Sequence, residues 1–291
     1  MAHWRPEMKD ADCVHLLQWA LPNLRMRWPG FRKVRRQVGK RIDRRLRQLR
    51  LEDVWAYRDY LNLHPQEWAV LDTLCRISIS RFYRDRHVFN LLRDRVLPSL
   101  AEQALARGDK LIHVWSAGCA SGEEVYSIKL VWELGPLQEA SAMRLHLTAT
   151  DADSRLLDRA RRGCYPHSSI RDLPHEWLPL AFDRLDEELC VRARFRSDIQ
   201  FMLQDIRQQM PAGPFDLICC RHLVFTYFDE ALQSELLQQI LARLGAGGVL
   251  VLGKQEALPP RFNDVLQPVQ RHSGCYWRLM PNQMSRWSSS T

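Results

Sequence analysis

Leu111-Ile112-His113-Val114-Trp115-Ser116-Ala117-Gly118-Cys119-Ala120-Ser121-Gly122-Glu123-Glu124-Val125-Tyr126-Ser127 is the stretch on which the fold turns. An apolar, β-branched run from Leu111 to Trp115 stops at a loop of minimal side chains, and two acids then open a helical pattern. A buried strand, a small-residue turn and a helix N-terminus are the start of a nucleotide-binding α/β unit. Small side chains in the turn let a ligand approach the backbone. The loop is not G-x-G-x-x-G, and Glu123 stands where a pyrophosphate would want free N–H groups and no fixed negative charge. A carboxylate there suits a cofactor with a cationic group. The other reading of Glu123 and Glu124 is a plain complement to the helix dipole.

Downstream, apolar segments alternate with helical ones. Strands are expected at 111–115, 145–150, 199–203, 215–220 and 248–253, with helices at Glu123–Leu134, Ser154–Arg162 and Asp229–Leu244 between them. Gly245-Ala246-Gly247-Gly248 reads as a helix stop feeding the last of these strands. Such alternation builds a mostly parallel sheet covered on both faces. Asp264–Arg271 and Cys275–Met280 flank His272-Ser273-Gly274, a hairpin signal, so the sheet is expected to end in an antiparallel pair. The tail Pro281–Thr291 is polar and reads as disordered.

Upstream the signals are helical throughout. Residues Asp12 to Leu24 form a short helical pattern with Asp12 as N-cap, Trp28-Pro29-Gly30 a turn, and Glu52–Leu63 and Pro65–Arg76 two further helices. From Phe31 to Leu49 the apolar positions Val34, Val38, Ile42, Leu46 and Leu49 line one helix face, and arginines cover the rest. Residues 1–76 therefore read as a small all-α domain. Residues 77–86 alternate as an extended linker, a helix follows over Arg86–Ala106, and 87–280 form the α/β domain.

Between Arg25 and Arg50 stand twelve basic residues against one acid, Asp43, a local balance of +11. The whole chain carries +8, so the remainder sums to −3: a near-neutral body with one intensely basic segment. The 291 residues leave room for one large domain or two unequal ones. No run approaches the roughly 18 apolar residues of a membrane span, and Met1–Cys13 has no apolar signal core. The eight cysteines (13, 75, 119, 164, 190, 219, 220, 275) show no C-x-x-C spacing. That argues against zinc and against a disulfide framework, and it fits buried thiols in a reducing cytoplasm.

In a doubly wound sheet the ligand lies across the carboxyl ends of the strands. Those ends are Gly118 to Glu123, Thr150-Asp151-Ala152-Asp153, Gln204-Asp205-Ile206 and Cys220-Arg221-His222. An acid at the second can accept both ribose hydroxyls, although Asp151 and Asp153 could equally cap the following helix. No G-x-S-x-G elbow, G-x-x-x-x-G-K-[ST] loop or H-E-x-x-H helix is present, and no metal site is expected.

Ser78-Ile79-Ser80-Arg81-Phe82-Tyr83-Arg84, the loop Ser116–Glu124 with Tyr126-Ser127, Ala149–Asp153, and Phe215–His222 with Tyr227-Phe228-Asp229 together resemble the CheR family. These are S-adenosylmethionine-dependent methyltransferases that esterify glutamates on chemotaxis receptors. The resemblance implies a class I methyltransferase (Rossmann-like) α/β domain with a mixed sheet, a helical N-terminal domain and a linker touching the cofactor. Carried over by position, Ser78, Ser80 and Arg84 contribute from the linker. Gly118 belongs to the cofactor loop, Glu123 faces the methionine end and Asp151 holds the ribose. Asp205 and Ile206 border the adenine, and Arg221 and His222 line the floor. Ser78 and Ser80 stand where the family has asparagine and threonine, and His222 replaces an asparagine. In 163–199, where the family has a small β-subdomain, one strand pair around Glu188–Phe201 is expected, which argues against tethered receptor docking.

A glutamate side chain is already an anion at neutral pH, its pKa being about 4.3. Catalysis then consists of positioning and electrostatics, with Arg84 gripping the substrate carboxylate and Tyr227 a second donor. Arg32, Lys33, Arg35, Arg36, Lys40 and Arg44 are expected to dock an acidic helical protein substrate, by a monomeric enzyme. Two alternatives are a nucleic-acid methyltransferase using the basic helix and a cofactor-binding module without catalysis. Against the first, the fourth strand ends in Cys-Arg-His-Leu rather than Asn/Asp-Pro-Pro-Tyr.

Overall fold

The computed structural model describes residues 8–136 and 143–279. The tail Pro281–Thr291 and the first seven residues, with the expectations placed on them, lie outside these. Contacts divide the chain into two compact units: residues up to Ser78 together with Thr226–Leu232, and Ile79–Phe225 with Gln233 onward.

The first unit is helical: α1 (Asp10–Ala20), α2 (Arg35–Leu49), α3 (Val54–Leu63) and α4 (Glu67–Cys75). Its core takes Leu16 and Leu17 from α1, Val38, Ile42 and Leu46 from α2, Tyr57 and Leu61 from α3, and Leu71 from α4. The i, i+4 spacing in α2 aligns its three apolar side chains, and burying each contributes about 1.5–3 kcal/mol. Asp53 caps α3 by accepting from the amides of Trp55 and Ala56, both at 2.9 Å. Two boundaries differ from expectation. α1 begins at Asp10 after Lys9, so Asp12 lies inside the first turn rather than at its cap. The basic helix starts at Arg35, because Trp28–Phe31 closes its own helical turn on Pro29 before the chain turns again.

In the second unit, Arg86–Leu91 and Leu97–Ala106 are joined by a π-helical turn, Leu92–Val96, into one helix, α5. The strands are β1 (Leu111–Ala117), β2 (Arg144–Asp151), β3 (Cys164–Pro166), β4 (Phe182–Leu185), β5 (Glu188–Val191), β6 (Ile199–Leu203), β7 (Phe215–Cys219), β8 (Leu244–Val251), β9 (Leu266–Pro268) and β10 (Cys275–Arg278). Between them run α6 (Glu123–Leu134), α7 (Ser154–Arg162) and α8 (Glu230–Arg243).

Seven strands form one sheet in the order β6-β2-β1-β7-β8-β10-β9. All pairs from β6 to β8 are parallel, and β10 pairs antiparallel with both β8 and β9. Ile112 and Val114 of β1 are buried opposite Leu145 and Leu147 of β2, as a strand covered on both faces requires. Crossovers leave β1 on both sides, so the topological switch point lies between β1 and β7, where a ligand crevice is expected. β8 already begins at Leu244, so the glycine run expected as a helix stop is its first half. A bulge between Phe215 and Leu217 absorbs it.

Two further expectations are corrected. Residues 163–199 hold a complete three-stranded antiparallel sheet, β3-β5-β4, rather than one pair, and the segment near Phe201 belongs to the main sheet instead. Strands of three or four residues are too short for alternation to show. Cys164 and Cys190 are opposite one another in β3 and β5 and joined by a disulfide. The other six cysteines are buried thiols, and burial pushes Cys13 up to about 11 and Cys75 and Cys275 up to about 12. No helix among the described residues is long and apolar enough to cross a membrane.

Candidate active site

The parallel strands bring their carboxyl ends to one edge of the sheet. After β1 the chain enters the loop Gly118–Gly122, four of whose amides are spent within the protein. Those of Gly118 and Cys119 donate to the Thr150 carbonyl at 2.8 and 2.9 Å, and that of Gly122 to the Cys119 carbonyl. The amide of Ala120 donates to Asp151 Oδ2 at 2.8 Å. A loop with these N–H groups spent is not a phosphate cradle. Its shape depends on glycine at 118 and 122, where φ is +74° and +91°. A Cβ there would stand 2.7 Å from Leu223 and 2.9 Å from Ala160.

Glu123, at the first position of α6, is 2% exposed. Among the described residues its carboxylate is met only by the Ser121 hydroxyl, at 2.9 and 2.8 Å from its two oxygens, and no basic residue forms an ion pair with it. A carboxylate buried without a counter-charge is costly, and a cationic group beside it would offset that cost. The dipole alone does not explain it, because a dipole complement belongs in water at the helix surface.

Asp151, at the end of β2, spans the neighbouring loops. It accepts from Ala120 with one oxygen and from the Asp153 amide with the other, at 2.9 Å. Asp153 is the N-cap of α7, bonded to the Arg155 amide, so the capping role falls to it and not to Asp151. After β6, Asp205 is gripped by Arg207, whose Nε and Nη2 donate to its two oxygens at 3.0 and 2.6 Å. Ile206 beside it is buried. Gln204 brings a buried carboxamide oxygen without a partner to the same strand end.

At the end of β7, the two residues expected to line the floor of the site also reach the linker. The Arg221 side chain is 3% exposed. It donates from Nη1 to Glu124 Oε2 at 2.9 Å, and from Nη2 to Asp85 Oδ2 and to the Arg84 carbonyl, both at 2.8 Å. His222 places Nε2 3.0 Å from the same Asp85 oxygen. The bond from His222, opposed by burial and reinforced by the charge of Arg221, holds the Asp85 carboxyl well below the usual carboxylate range. Both residues thus face the linker. Asp85 is not singled out in the sequence, and Glu124 reads there only as part of the loop motif; their pairing with Arg221 across the switch point reveals them.

Within the linker, Ser80 and Arg84 belong to the second unit and Ser78 ends the first. Arg84 donates from Nη1 to the Ile79 carbonyl at 2.6 Å. Tyr83 and Asp85 on either side of it have φ of 55° and 63°, a conformation costing about 1–2 kcal/mol per non-glycine residue. Tyr227 belongs to the first unit, where its ring packs on Phe31 at 5.2 Å. Its expected part in catalysis rests on the resemblance alone.

Arg36, Lys40 and Arg44 on α2, and Arg32 and Lys33 in the turn before it, are exposed, and among the described residues their side chains form no ion pair. Arg35 departs from the expectation of a docking cation, because its guanidinium is committed to Asp10 at 2.9 Å. Arg45 likewise serves Glu67, and Arg41 the carbonyls of Leu74 and Arg76.

A strand end that offers a buried carboxylate to a cation, beside loop amides closed to phosphate, suits a nucleoside cofactor carrying positive charge. With the parallel order closed by an antiparallel pair, this is the class I S-adenosylmethionine-dependent methyltransferase fold. The family description "CheR methyltransferase, SAM binding domain" matches residues 78–275, and the chain belongs to the CheR family. It is 32% identical over 230 residues to the chemotaxis protein methyltransferase of Escherichia coli, covering 76% of each chain. It is also 32% identical over 228 residues to chemotaxis protein methyltransferase 2 of Pseudomonas aeruginosa, covering 75% of this chain and 77% of that one. Among solved structures, the N-methyltransferase NodS of Bradyrhizobium japonicum with S-adenosyl-l-homocysteine has 17% identity and a TM-score of 0.37, over 71% of this chain and 92% of that one. The chain is thus a protein methyltransferase that uses S-adenosylmethionine.

Proposed function

We propose that the chain converts glutamate side chains of a chemotaxis-type receptor into methyl esters. The observation that carries the substrate class is the row of cations Arg36, Lys40 and Arg44 on α2, preceded by Arg32 and Lys33 in the turn before it, which form no ion pair among the described residues. Successive side chains three and four residues apart share one helix face, and Arg36 to Arg44 spans about 12 Å. Such a row complements an acidic helix bearing several carboxylates, as a methylation region of a receptor does.

When bound, S-adenosylmethionine supplies an electrophilic sulfonium methyl and leaves as S-adenosylhomocysteine. Glu123 takes the α-ammonium group, which gives its carboxylate the counter-charge it lacks. Asp151 faces the ribose, and Asp205 and Ile206 border the adenine. Ser78 and Ser80 add linker hydroxyls. Arg84 grips the substrate carboxylate, which is ionised without a general base because it titrates near pH 4. One carboxylate oxygen forms the new bond to the methyl carbon as the carbon–sulfur bond breaks, and no proton is transferred. Tyr227 is a second donor to the substrate in this scheme.

The test is incubation with methyl-labelled S-adenosylmethionine and a purified chemoreceptor cytoplasmic fragment, with RNA in a parallel reaction. Base-labile label on the fragment is expected. Alkali-stable label in RNA, or cofactor binding without transfer to either, overturns the proposal.

A further inference from the structure

Arg84 sits between two residues held in left-handed backbone conformations, and each is fixed from a different side. Tyr83 donates its amide to Ser127 Oγ at 2.8 Å, and its hydroxyl to Asn90 at 3.1 Å. Its buried ring packs on Phe89 and Trp177. On the other side the Asp85 carboxylate meets Arg221 Nη2 and His222 Nε2, which converge on one of its oxygens, and its carbonyl accepts from the Val88 amide at 2.8 Å. The same Nη2 also donates to the main-chain carbonyl of Arg84.

That grip is anchored deep in the sheet. Glu124, which holds the other terminal nitrogen of Arg221, accepts at its second oxygen from Ser116 of β1 at 2.8 Å. His222 is itself strained, with φ of 56°, and its amide donates to Glu256, as does that of Gly253. Its ring lies where a side chain on Gly253 would be, since a Cβ there would come within 2.7 Å of Cε1 and Nδ1. Two adjacent residues thus converge on one carboxylate next to the residue that meets the substrate, and Glu124 and Glu256 hold each of them in turn.

We propose that Asp85 is a positioning residue for methyl transfer: held by Arg221 and His222, it sets the main chain of Arg84. The inference rests on Arg84 gripping the substrate carboxylate. Asp85 touches neither substrate nor cofactor; it acts through its neighbour. Two carboxylates and a carbonyl already occupy the terminal nitrogens of Arg221, so releasing it to a ligand would leave buried charges unpaired.

The test is a double-mutant cycle of Asp85→Asn and Arg84→Ala, assayed by base-labile methyl transfer to a chemoreceptor cytoplasmic fragment. Cofactor affinity is measured by calorimetry, and hydrogen exchange is followed over residues 79–85. Asp85→Asn alone is expected to lower kcat by about 100-fold, the scale of an ångström of misplacement, with KM and cofactor affinity nearly unchanged and faster exchange in the linker. In the Arg84→Ala background the same change is expected to add no more than about twofold. Equal losses in both backgrounds overturn the proposal, as does an Asp85→Asn linker that exchanges like wild type. Should Asp85→Asn not fold, Gly253→Ala displaces His222 from a distance and is expected to reproduce the kcat loss in part; unaltered kcat and exchange there also overturn it. A wild-type enzyme that transfers nothing refutes the receptor reading instead, and linker exchange then decides whether Asp85 holds Arg84.

Discussion

The hydroxyl of Ser121 bridges both oxygens of Glu123, at 2.9 and 2.8 Å, and no basic side chain among the described residues shares that carboxylate. A neutral donor leaves the charge uncompensated inside the protein. Glu123→Gln keeps the shape and removes the charge. A hydrogen bond to a charged group contributes about 1.5–3 kcal/mol, so cofactor affinity is expected to fall roughly 10- to 100-fold. The melting temperature of the ligand-free protein should stay level or rise, because an unpaired buried charge is gone. Calorimetric titration with S-adenosylhomocysteine and thermal unfolding check the two halves; unchanged affinity would remove Glu123 from the site.

On α2, neighbouring arginines have opposite duties. Arg45 forms a two-bond pair with buried Glu67 at 2.8 and 2.7 Å, and Tyr57 donates to the same carboxylate at 2.9 Å. Arg45→Ala strands that carboxylate and is expected to destabilise the protein by about 3 kcal/mol. Combined Arg36→Glu, Lys40→Glu and Arg44→Glu should change stability by no more than about 0.5 kcal/mol. That triple variant should instead raise KM for a receptor fragment, and the wild-type salt dependence should weaken with it. Urea unfolding and initial rates at several ionic strengths separate the two. An unaltered KM would discard docking by this helix.

Much of this was legible in the chain because it is local. The β1–loop–α6 unit, the parallel strands and the closing hairpin announce themselves through runs, periods and turn residues within a few positions of one another. The basic helix showed its apolar stripe equally well, but not that Arg35 is spent on Asp10, because that pairing joins residues 25 apart. The three-stranded sheet escaped because its strands have only three or four residues. The roles of Arg221 and His222 escaped for a related reason. Their partner Asp85 lies 136 and 137 residues away, and a position at a strand end does not say which way a side chain turns.

Cys164 and Cys190 make a chemical prediction that the spacing of cysteines did not. Denatured without reductant, the chain should alkylate at the six thiols that are free in the structure; after reduction it should alkylate at all eight. In the native state those six should react slowly with an aromatic disulfide reagent, because the thiolate is the nucleophile and burial raises their pKa values. The loop closed by the bond has a separation of 26 residues, so reduction should lower stability by about 3 kcal/mol on the chain-entropy account. Eight reactive thiols without reductant would contradict the pairing.

Asp85 should also leave a signature in the pH dependence of stability. The charged and titratable groups around it are Arg221 and His222 at the end of β7, Glu124 on α6 and His87 on α5. In the folded state its carboxyl is held below the ordinary value, first by the His222 bond. The unfolded chain therefore takes up the proton first, near pH 4. The sign follows: the stabilisation is fully present above that value and is lost as pH falls further toward the folded pKa. Urea unfolding of the wild type and of Asp85→Asn should show a gap that narrows as the pH falls below about pH 4. Asp10 and Asp153 are shifted the same way by Arg35 and Arg155, but both proteins share them, so they cancel in the difference. A gap that stays level down to pH 3 would mean that the Asp85 charge does not hold the linker.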